Sequence, residues 1–266
     1  VFTVLDPATG ELHTGGISFA HDQGIHNQFS PLGHSSYELS HLPGCFSHMT
    51  VEQVCNWTLL ASGYTATTGD RDWLVQNQHV IEACLTSMLN RDHPDPSKRD
   101  GVMKFDSSRC GPKGQEITTY DSLDHSLAQA RNNLYVASKS WATYLGLALM
   151  FDALNLSHQA KEARAGAARS AKLIAAQLGP TGFIPAVFEK DNPGHGSKIL
   201  PAIESLVHPQ FWSTQPHAGE SGTWVSEQGP FAAMFTALRT HMLTLLKTSG
   251  RGEGFNIFSD GGLKLS

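Results

Sequence analysis

The segment Gln115–Asp124 (QEITTYDSLD) concentrates acidic and hydrogen-bonding side chains at the predicted start of a helix. A helix N-terminus favours the ionised form of a carboxyl group, whereas burial beside Tyr120 favours the neutral acid. A carboxyl group whose pKa can be moved in either direction suits general acid catalysis, and Asp121 is the candidate. The alternative is that Ser122 or Asp124 simply caps the helix.

A second candidate is the pair His21-Asp22, which follows the short apolar run Ile17–Ala20. An imidazole can donate or accept a hydrogen bond and a carboxylate can accept two, so the pair could hold neighbouring hydroxyls of a sugar. The alternative is a loop histidine whose hydrogen bonds are satisfied by its neighbour.

The tryptophans fall into two groups by their sequence context. Trp57, Trp73 and Trp141 lie at helical spacing, which predicts core positions. Trp212 and Trp224 lie in predicted loops, where an aromatic face could cover the apolar side of a pyranose. The second pair are therefore candidate sugar-stacking platforms.

The composition limits the classes of partner. The formal net charge is -5, and Lys and Arg form no run that could neutralise a phosphate backbone or coat an anionic membrane, so neither nucleic acid nor membrane is expected as a partner. No apolar stretch approaches the roughly 20 residues of a membrane span. The four cysteines and the histidines match no metal-binding spacing, so we expect neither a metal nor a cofactor.

The elements that must position these residues are predicted to be mostly helical. The first 50 residues are rich in turns, with Asp6–Gly10 joining two short β-prone runs. From residue 50 onward, long loops at 92–120 and 180–223 alternate with helices. The predicted helices are Thr50 to about Gly69, Asp70 to Asp92, Asp121 to about Leu154, Ser157–Leu178, and a last one from Gly229-Pro230 to about Gly250. This pattern favours helical hairpins packed in a layer or ring, with the long loops forming a pocket at one end.

Several long strings resemble one family, the retaining β-xylosidases of glycoside hydrolase family 52, and more distantly the β-glucosidases of family 116. The resemblance covers nearly the whole chain and is strongest between residues 15 and 155. The strings are Gly15–Phe19 with His21-Asp22, Gly44–Thr50, Arg91–Pro96, Glu116–Asp124 and Arg131–Asn133.

The resemblance implies a fold and a set of roles. It implies an (α/α)6 barrel with long active-site loops, a Glu nucleophile and an Asp acid/base. Asp121, in the string Thr119-Tyr120-Asp121, matches the acid/base position. His21, Asp22, Thr119 and Arg131 are implied to bind the substrate.

The resemblance also implies that the chain, residues 1–266, is a catalytic barrel domain incomplete at both ends, without the N-terminal β-rich domain and without the nucleophile Glu. We therefore expect the parent enzyme to release terminal xylose from xylo-oligosaccharides during xylan degradation, and the isolated chain to be inactive. A β-glucosidase on the same scaffold, or a catalytically silent carbohydrate-binding or structural helical domain, are the alternatives. The unpatterned cysteines and the bacterial type of family favour a cytoplasmic location, and a homo-oligomer is compatible with the sequence.

Overall fold

The computed structural model describes residues 3–6, 8–19, 24–25, 28–29, 50–108, 131–226 and 228–248. The α-helices of this part of the chain are α1 Thr50–Thr68, α2 Arg71–Asp92, α3 Leu134–Leu154, α4 Ser157–Ala176, α5 Ile203–Ser213 and α6 Ala232–Thr248. Short 3-10 helices lie at Pro96–Lys98, Pro193–Gly196 and Gly219–Thr223. The predicted mostly α class is confirmed, whereas the (α/α)6 barrel stays a prediction.

The described strands are short. β1 (Thr3–Leu5) pairs in antiparallel fashion with β2 (Leu12–Thr14), and β3 (Gly24–Ile25) pairs with β4 (Gln28–Phe29). Between β1 and β2 lies the predicted turn, in which the Asp6 carboxylate accepts a hydrogen bond from the backbone of Ala8 at 2.8 Å. The chain turns there because a short acidic side chain bonds its own backbone two residues on.

Helices α1 and α2 form a hairpin whose boundaries agree with the sequence prediction. Helix α1 begins at Thr50 and ends one residue before Gly69, which adopts a φ of +64°. Asp70 then caps α2, because its carboxylate accepts a hydrogen bond from the Trp73 amide at 2.9 Å. This cap satisfies one of the amides that a helix leaves without an internal partner.

Helix α3 begins later than predicted. Residues 131–133 are not helical, so the single helix expected from Asp121 to Leu154 is wrong in this part. Asn132 has a φ of +55°, and the Asn133 side chain accepts a hydrogen bond from the Val136 amide at 2.8 Å. A left-handed residue followed by a side-chain cap starts a new helix at Leu134.

The core surrounds α3, which contacts α1, α2, α4 and α5. Every residue from Leu134 to Phe151 is buried, as expected for a helix that is apolar around its whole circumference. Lys139 is the single charged side chain in that range. A buried charge needs partners, and they are described below.

Helix α5 lies inside the region predicted to be loop. The prediction rested on prolines, but Pro209 is inside this helix and is buried, and Trp212 has no exposed surface. Burial of the large Trp212 ring offsets the loss of one backbone hydrogen bond at Pro209. Trp212 is therefore a core residue, and its predicted role as a sugar-stacking platform is wrong. Trp224 is 6% exposed and follows the 3-10 helix Gly219–Thr223, and its role as a stacking platform stays a prediction.

Helices α1, α3 and α5 run in the same direction. At their N-terminal ends, Glu52 of α1 and Glu204 of α5 both contact Lys139 of α3. Further along, a Cβ atom placed on Gly146 of α3 would lie 2.3 Å from Ser62 Oγ of α1 and 3.1 Å from the ring of Trp212 of α5. The three N-termini therefore lie at one end. None of the helices that the structure describes is long and apolar enough to cross a bilayer.

Candidate functional site

Most of the predicted site residues lie outside the part of the chain that the structure describes. These are Asp121, Thr119, His21 and Asp22. Arg131 is described. The structure therefore bears on the site through the residues that flank these positions.

The chain leading to His21-Asp22 is fixed against the first helical hairpin. Ser87 Oγ of α2 accepts a hydrogen bond from the Ile17 amide at 2.7 Å and donates one to the Ile17 carbonyl. The Phe19 ring stacks on Trp57 of α1 with centroids 5.5 Å apart and planes 14° apart. Hydrogen bonds from the Ser87 side chain and ring stacking thus hold this segment up to two residues before His21.

Arg131 links the chain before residue 109 to the start of α3. Its guanidinium donates to the Asp106 carboxylate at 2.8 Å. On the far side, the Phe188 amide donates to the Asn132 carbonyl at 2.9 Å, which fixes the entry to α3. Arg131, predicted to bind substrate, therefore has at least one donor committed to Asp106. The capping role that the sequence allows for Asp124 stays a prediction, because Asp124 lies outside the described residues.

The helices that follow the two candidate segments in the chain are α1, after His21-Asp22, and α3, after Asp121 and Arg131. The N-termini of these two helices lie at the same end of the helical body. The positive dipole of a helix N-terminus favours polar ligands, but the first amides of α3 already have partners, since Leu134 donates to the Ala186 carbonyl and Val136 to Asn133.

A buried polar cluster joins the three helices at this end, and we call it the Lys139 cluster. Its members are Glu52, Asn56, Tyr135, Lys139 and Glu204. Lys139 Nζ lies 2.6 Å from Glu52, 2.9 Å from Asn56 and 2.9 Å from Glu204, so all three of its donors have acceptors. The Tyr135 hydroxyl lies 2.8 Å from Glu204 and 3.1 Å from Glu52.

The charges of the Lys139 cluster do not cancel. Burial opposes the charge on Lys139, but Glu52 and Glu204 outweigh it and raise its pKa. Burial likewise opposes the charge on Glu204, but Lys139 and its hydrogen bond outweigh that effect and lower the Glu204 pKa. Two carboxylates and one ammonium leave one surplus negative charge. Glu204 brings part of the cluster to the surface, because its side chain is 38% exposed.

The described thiols are not suited to nucleophilic catalysis. Cys55 and Cys84 are free and buried. Burial raises the pKa of Cys55 to about 11 and that of Cys84 to about 12. A thiol with so high a pKa is a poor nucleophile, since the thiolate is the reactive form. Among the residues described, no cluster of His, Cys, Asp or Glu is arranged to hold a metal ion.

Sequence reasoning missed the Lys139 cluster. Glu52 lies in the first turn of a predicted helix and Glu204 lies in a predicted loop, and neither was a candidate site residue. One local signal could have found the cluster, namely a single lysine within an otherwise uncharged run of eighteen residues, Leu134–Phe151. Such a lysine must be paired when the helix is buried on all sides.

The comparisons with known proteins define the class. The family model of glycosyl hydrolase family 52 matches residues 3–64, which include β1, β2, the segment before His21 and most of α1. The resemblance to this family is thereby confirmed, and the chain is a relative of the family 52 glycosyl hydrolases.

The similarity extends well beyond the region that the family model matches. The chain is 46% identical over 254 residues to a beta-xylosidase of Geobacillus stearothermophilus, which covers 96% of this chain and 34% of that protein. It is also 46% identical over 151 residues to a second beta-xylosidase of the same organism, covering 56% of this chain and 24% of the relative. The chain thus spans about a third or less of the length of each of these relatives.

Proposed function

We propose that this chain forms the general-acid part of a retaining β-xylosidase and that Asp121 is the acid/base. The observation that carries the proposal is the 46% identity, over 96% of this chain, to a protein named beta-xylosidase, which also supports the substrate class. The parallel arrangement of α1, α3 and α5, with their N-termini at one end, is compatible with a pocket at that end.

The proposed reaction is a double displacement. A glutamate from outside this chain attacks the anomeric carbon while Asp121 protonates the departing oxygen, and Asp121 then deprotonates the water that releases xylose. The two carboxyl groups of such a site stand roughly 5 Å apart. His21, Asp22, Thr119 and Arg131 bind the hydroxyls of the terminal sugar of a xylo-oligosaccharide.

The proposed architecture is an (α/α)6 barrel of which this chain supplies part. Its support is the alternation of α1, α3 and α5, which run in one direction, with hairpin partners that return. In such an arrangement the long connections gather at one end and form the pocket.

The remaining features of the proposal follow from the sequence. The enzyme needs no metal and no cofactor, because two carboxyl groups suffice for this chemistry. The location is cytoplasmic, with support from Cys55 and Cys84, which are free thiols. The substrate is a small oligosaccharide. Light scattering tests whether the enzyme associates into a homo-oligomer.

The experiment uses a polypeptide of the relatives' length that includes this chain. We expect it to hydrolyse an aryl β-xyloside faster than the matching aryl β-glucoside, and proton NMR should show β-xylose as the first product because the configuration is retained. Preference for the glucoside would favour the β-glucosidase alternative. First release of α-xylose would contradict the retaining mechanism, and no turnover of either substrate would favour a silent carbohydrate-binding or structural domain.

The isolated 266-residue chain provides a second check. We expect no turnover, because one carboxylate cannot complete both displacements. Turnover near the enzyme median of roughly 10 per second would place the nucleophile inside this chain. Glu220 and Glu227 would then be the first residues to replace.

A further inference from the structure

The Lys139 cluster contains two carboxylates and one ammonium, so it has more acceptor oxygens than its own donors occupy. Lys139 supplies three donors and Tyr135 supplies one. These donors are taken by Oε1 of Glu52, the amide oxygen of Asn56 and Oε1 of Glu204. The second carboxylate oxygen of Glu204 is not needed for any of these contacts.

Of the two carboxylates in the cluster, Glu204 is the one that meets solvent. Its side chain is 38% exposed, whereas those of Lys139 and Glu52 are 2% and 11% exposed. Two contacts to one oxygen fix the orientation of the Glu204 carboxylate, because Lys139 and Tyr135 approach Oε1 from α3. The other oxygen is therefore held in a defined direction at the rim of the cluster.

The location of Glu204 connects it to the proposed site. Tyr135, which donates to Glu204 at 2.8 Å, is the second residue of α3 and follows Arg131 by four positions in the chain. Glu204 therefore belongs to the same end of the helical body as the chain that enters α3 from the Asp121 segment.

We propose that Glu204 is a substrate-binding residue whose carboxylate accepts hydrogen bonds from hydroxyl groups of a neutral xylo-oligosaccharide, with Lys139 and Tyr135 as the residues that orient it. This inference rests on the proposed function and extends its site to α5. An oriented carboxylate accepts bonds from two hydroxyls and donates none, so it selects a polyol. A purely structural Glu204 would only fasten α5 to α3.

The test measures binding of xylobiose to the 266-residue chain by NMR titration. Glu204→Gln keeps the size of the side chain and retains an oxygen that can accept from Lys139. We expect it to weaken binding by about tenfold, because a hydrogen bond to a charged acceptor is worth more than a neutral one. Tyr135→Phe removes one orienting bond with little loss of volume and should weaken binding less.

Glu162→Gln is the matched control. Glu162 is also a partly exposed carboxylate, at 35%, and it pairs with Arg99 at 3.3 Å away from this cluster. We expect it to leave xylobiose affinity unchanged. Melting temperatures of all variants separate loss of the fold from loss of binding.

The outcomes separate the two levels of the proposal. If the wild-type chain binds xylobiose and Glu204→Gln binds it equally well, Glu204 is structural and this inference is wrong, while the proposed function stands. If binding falls equally in Glu204→Gln and Glu162→Gln, the effect is general charge and the inference is also wrong. If the wild-type chain binds no xylobiose, Glu204 forms no substrate-binding site within this chain and this inference is wrong, whereas the proposed function is decided by turnover of the polypeptide of the relatives' length.

Discussion

Lys139 of α3 donates to Glu52 of α1 across 2.6 Å, and both side chains are almost fully withdrawn from solvent. Removing a charge from water is costly unless its partner and its remaining hydrogen bonds are in place. Here Asn56 and Glu204 complete the set, so α1, α3 and α5 are held together by one lysine. The same contact keeps the N-termini of these helices at one end of the molecule.

Lys139→Met should therefore destabilise the fold strongly. The variant leaves Glu52 and Glu204 close together without a cation, and breaking a buried pair in this way costs about 3–5 kcal/mol. The free energy of unfolding in urea is the measurement. Lys98→Met is the control, because Lys98 lies 3.7 Å from Asp95 and its side chain is 64% exposed. Lys98→Met should change the free energy of unfolding by no more than about 0.5 kcal/mol. An equal loss in both variants would contradict the role given to Lys139.

His241 should give the fold a dependence on pH. The buried imidazole of α6 accepts from the Ile184 amide at 3.0 Å through Nδ1, so Nε2 carries the proton that it donates to the Ile199 carbonyl at 2.7 Å. Burial lowers the His241 pKa below its usual 6.5. The unfolded chain then binds more protons, so stability is full above about pH 6.5 and is lost as the pH falls through the folded-state value.

The measurement is the unfolding free energy between pH 8 and about pH 5. His241→Gln should lower stability at pH 8, because it disturbs two buried hydrogen bonds, and should flatten the fall at low pH. His158→Gln, at an exposed position of α4, is the control and should leave the pH profile of the wild type unchanged. A profile that stays steep in His241→Gln would assign the pH dependence to another group.

Gly101 should not tolerate a side chain. Its φ is +93°, and a Cβ there would lie 2.3 Å from the backbone nitrogen of Ser170 on α4. Gly101→Ala should therefore cost about 1–2 kcal/mol for the backbone conformation and about 1–3 kcal/mol more for the collision. Gly219→Ala is the control, since Gly219 has a φ of +55° and no heavy atom within 4 Å of the same position. If Gly101→Ala and Gly219→Ala lose the same free energy of unfolding in urea, the close approach to Ser170 is unimportant.

The elements that sequence alone predicts well are those with local signals. The starts of α1 at Thr50 and α4 at Ser157 agree with the prediction, and Asp70 caps α2 as expected. A cap involves only residues within one turn, so its pattern is visible in the sequence.

The elements that sequence misses depend on distant contacts. Pro209 argued for a loop, yet α5 forms because Trp212 is fully buried against the other helices. The partners of Lys139 could not be named either, since Glu52 and Glu204 lie 87 and 65 positions away in the chain. Tertiary packing decides both features and leaves almost no trace in a local pattern.

The candidate catalytic residues divide in the same way. The segment that contains Asp121 was singled out because a run of acids and hydroxyls preceded a predicted helix, and its role stays a prediction. The break at Asn132, which starts α3 anew, was missed although Asn favours caps over helix interiors, because the pairing of Asn133 with Val187 is not local.

The final prediction tests Asp121 as acid/base in a polypeptide of the relatives' length that includes this chain. Asp121→Ala should leave the first step nearly intact for substrates with a good leaving group and slow it for those with a poor one, because protonation matters most when the departing oxygen is basic. Azide should restore turnover of an activated aryl β-xyloside, since it attacks the glycosyl-enzyme without a general base and yields a β-configured azide after two inversions. Asp124→Asn is the control, and we expect it to lower the melting temperature more than the turnover. If Asp121→Ala folds but azide does not rescue it, Asp121 is not the acid/base. A loss of turnover in Asp124→Asn as deep as that in Asp121→Ala, at an unchanged melting temperature, would exchange the roles of the two aspartates.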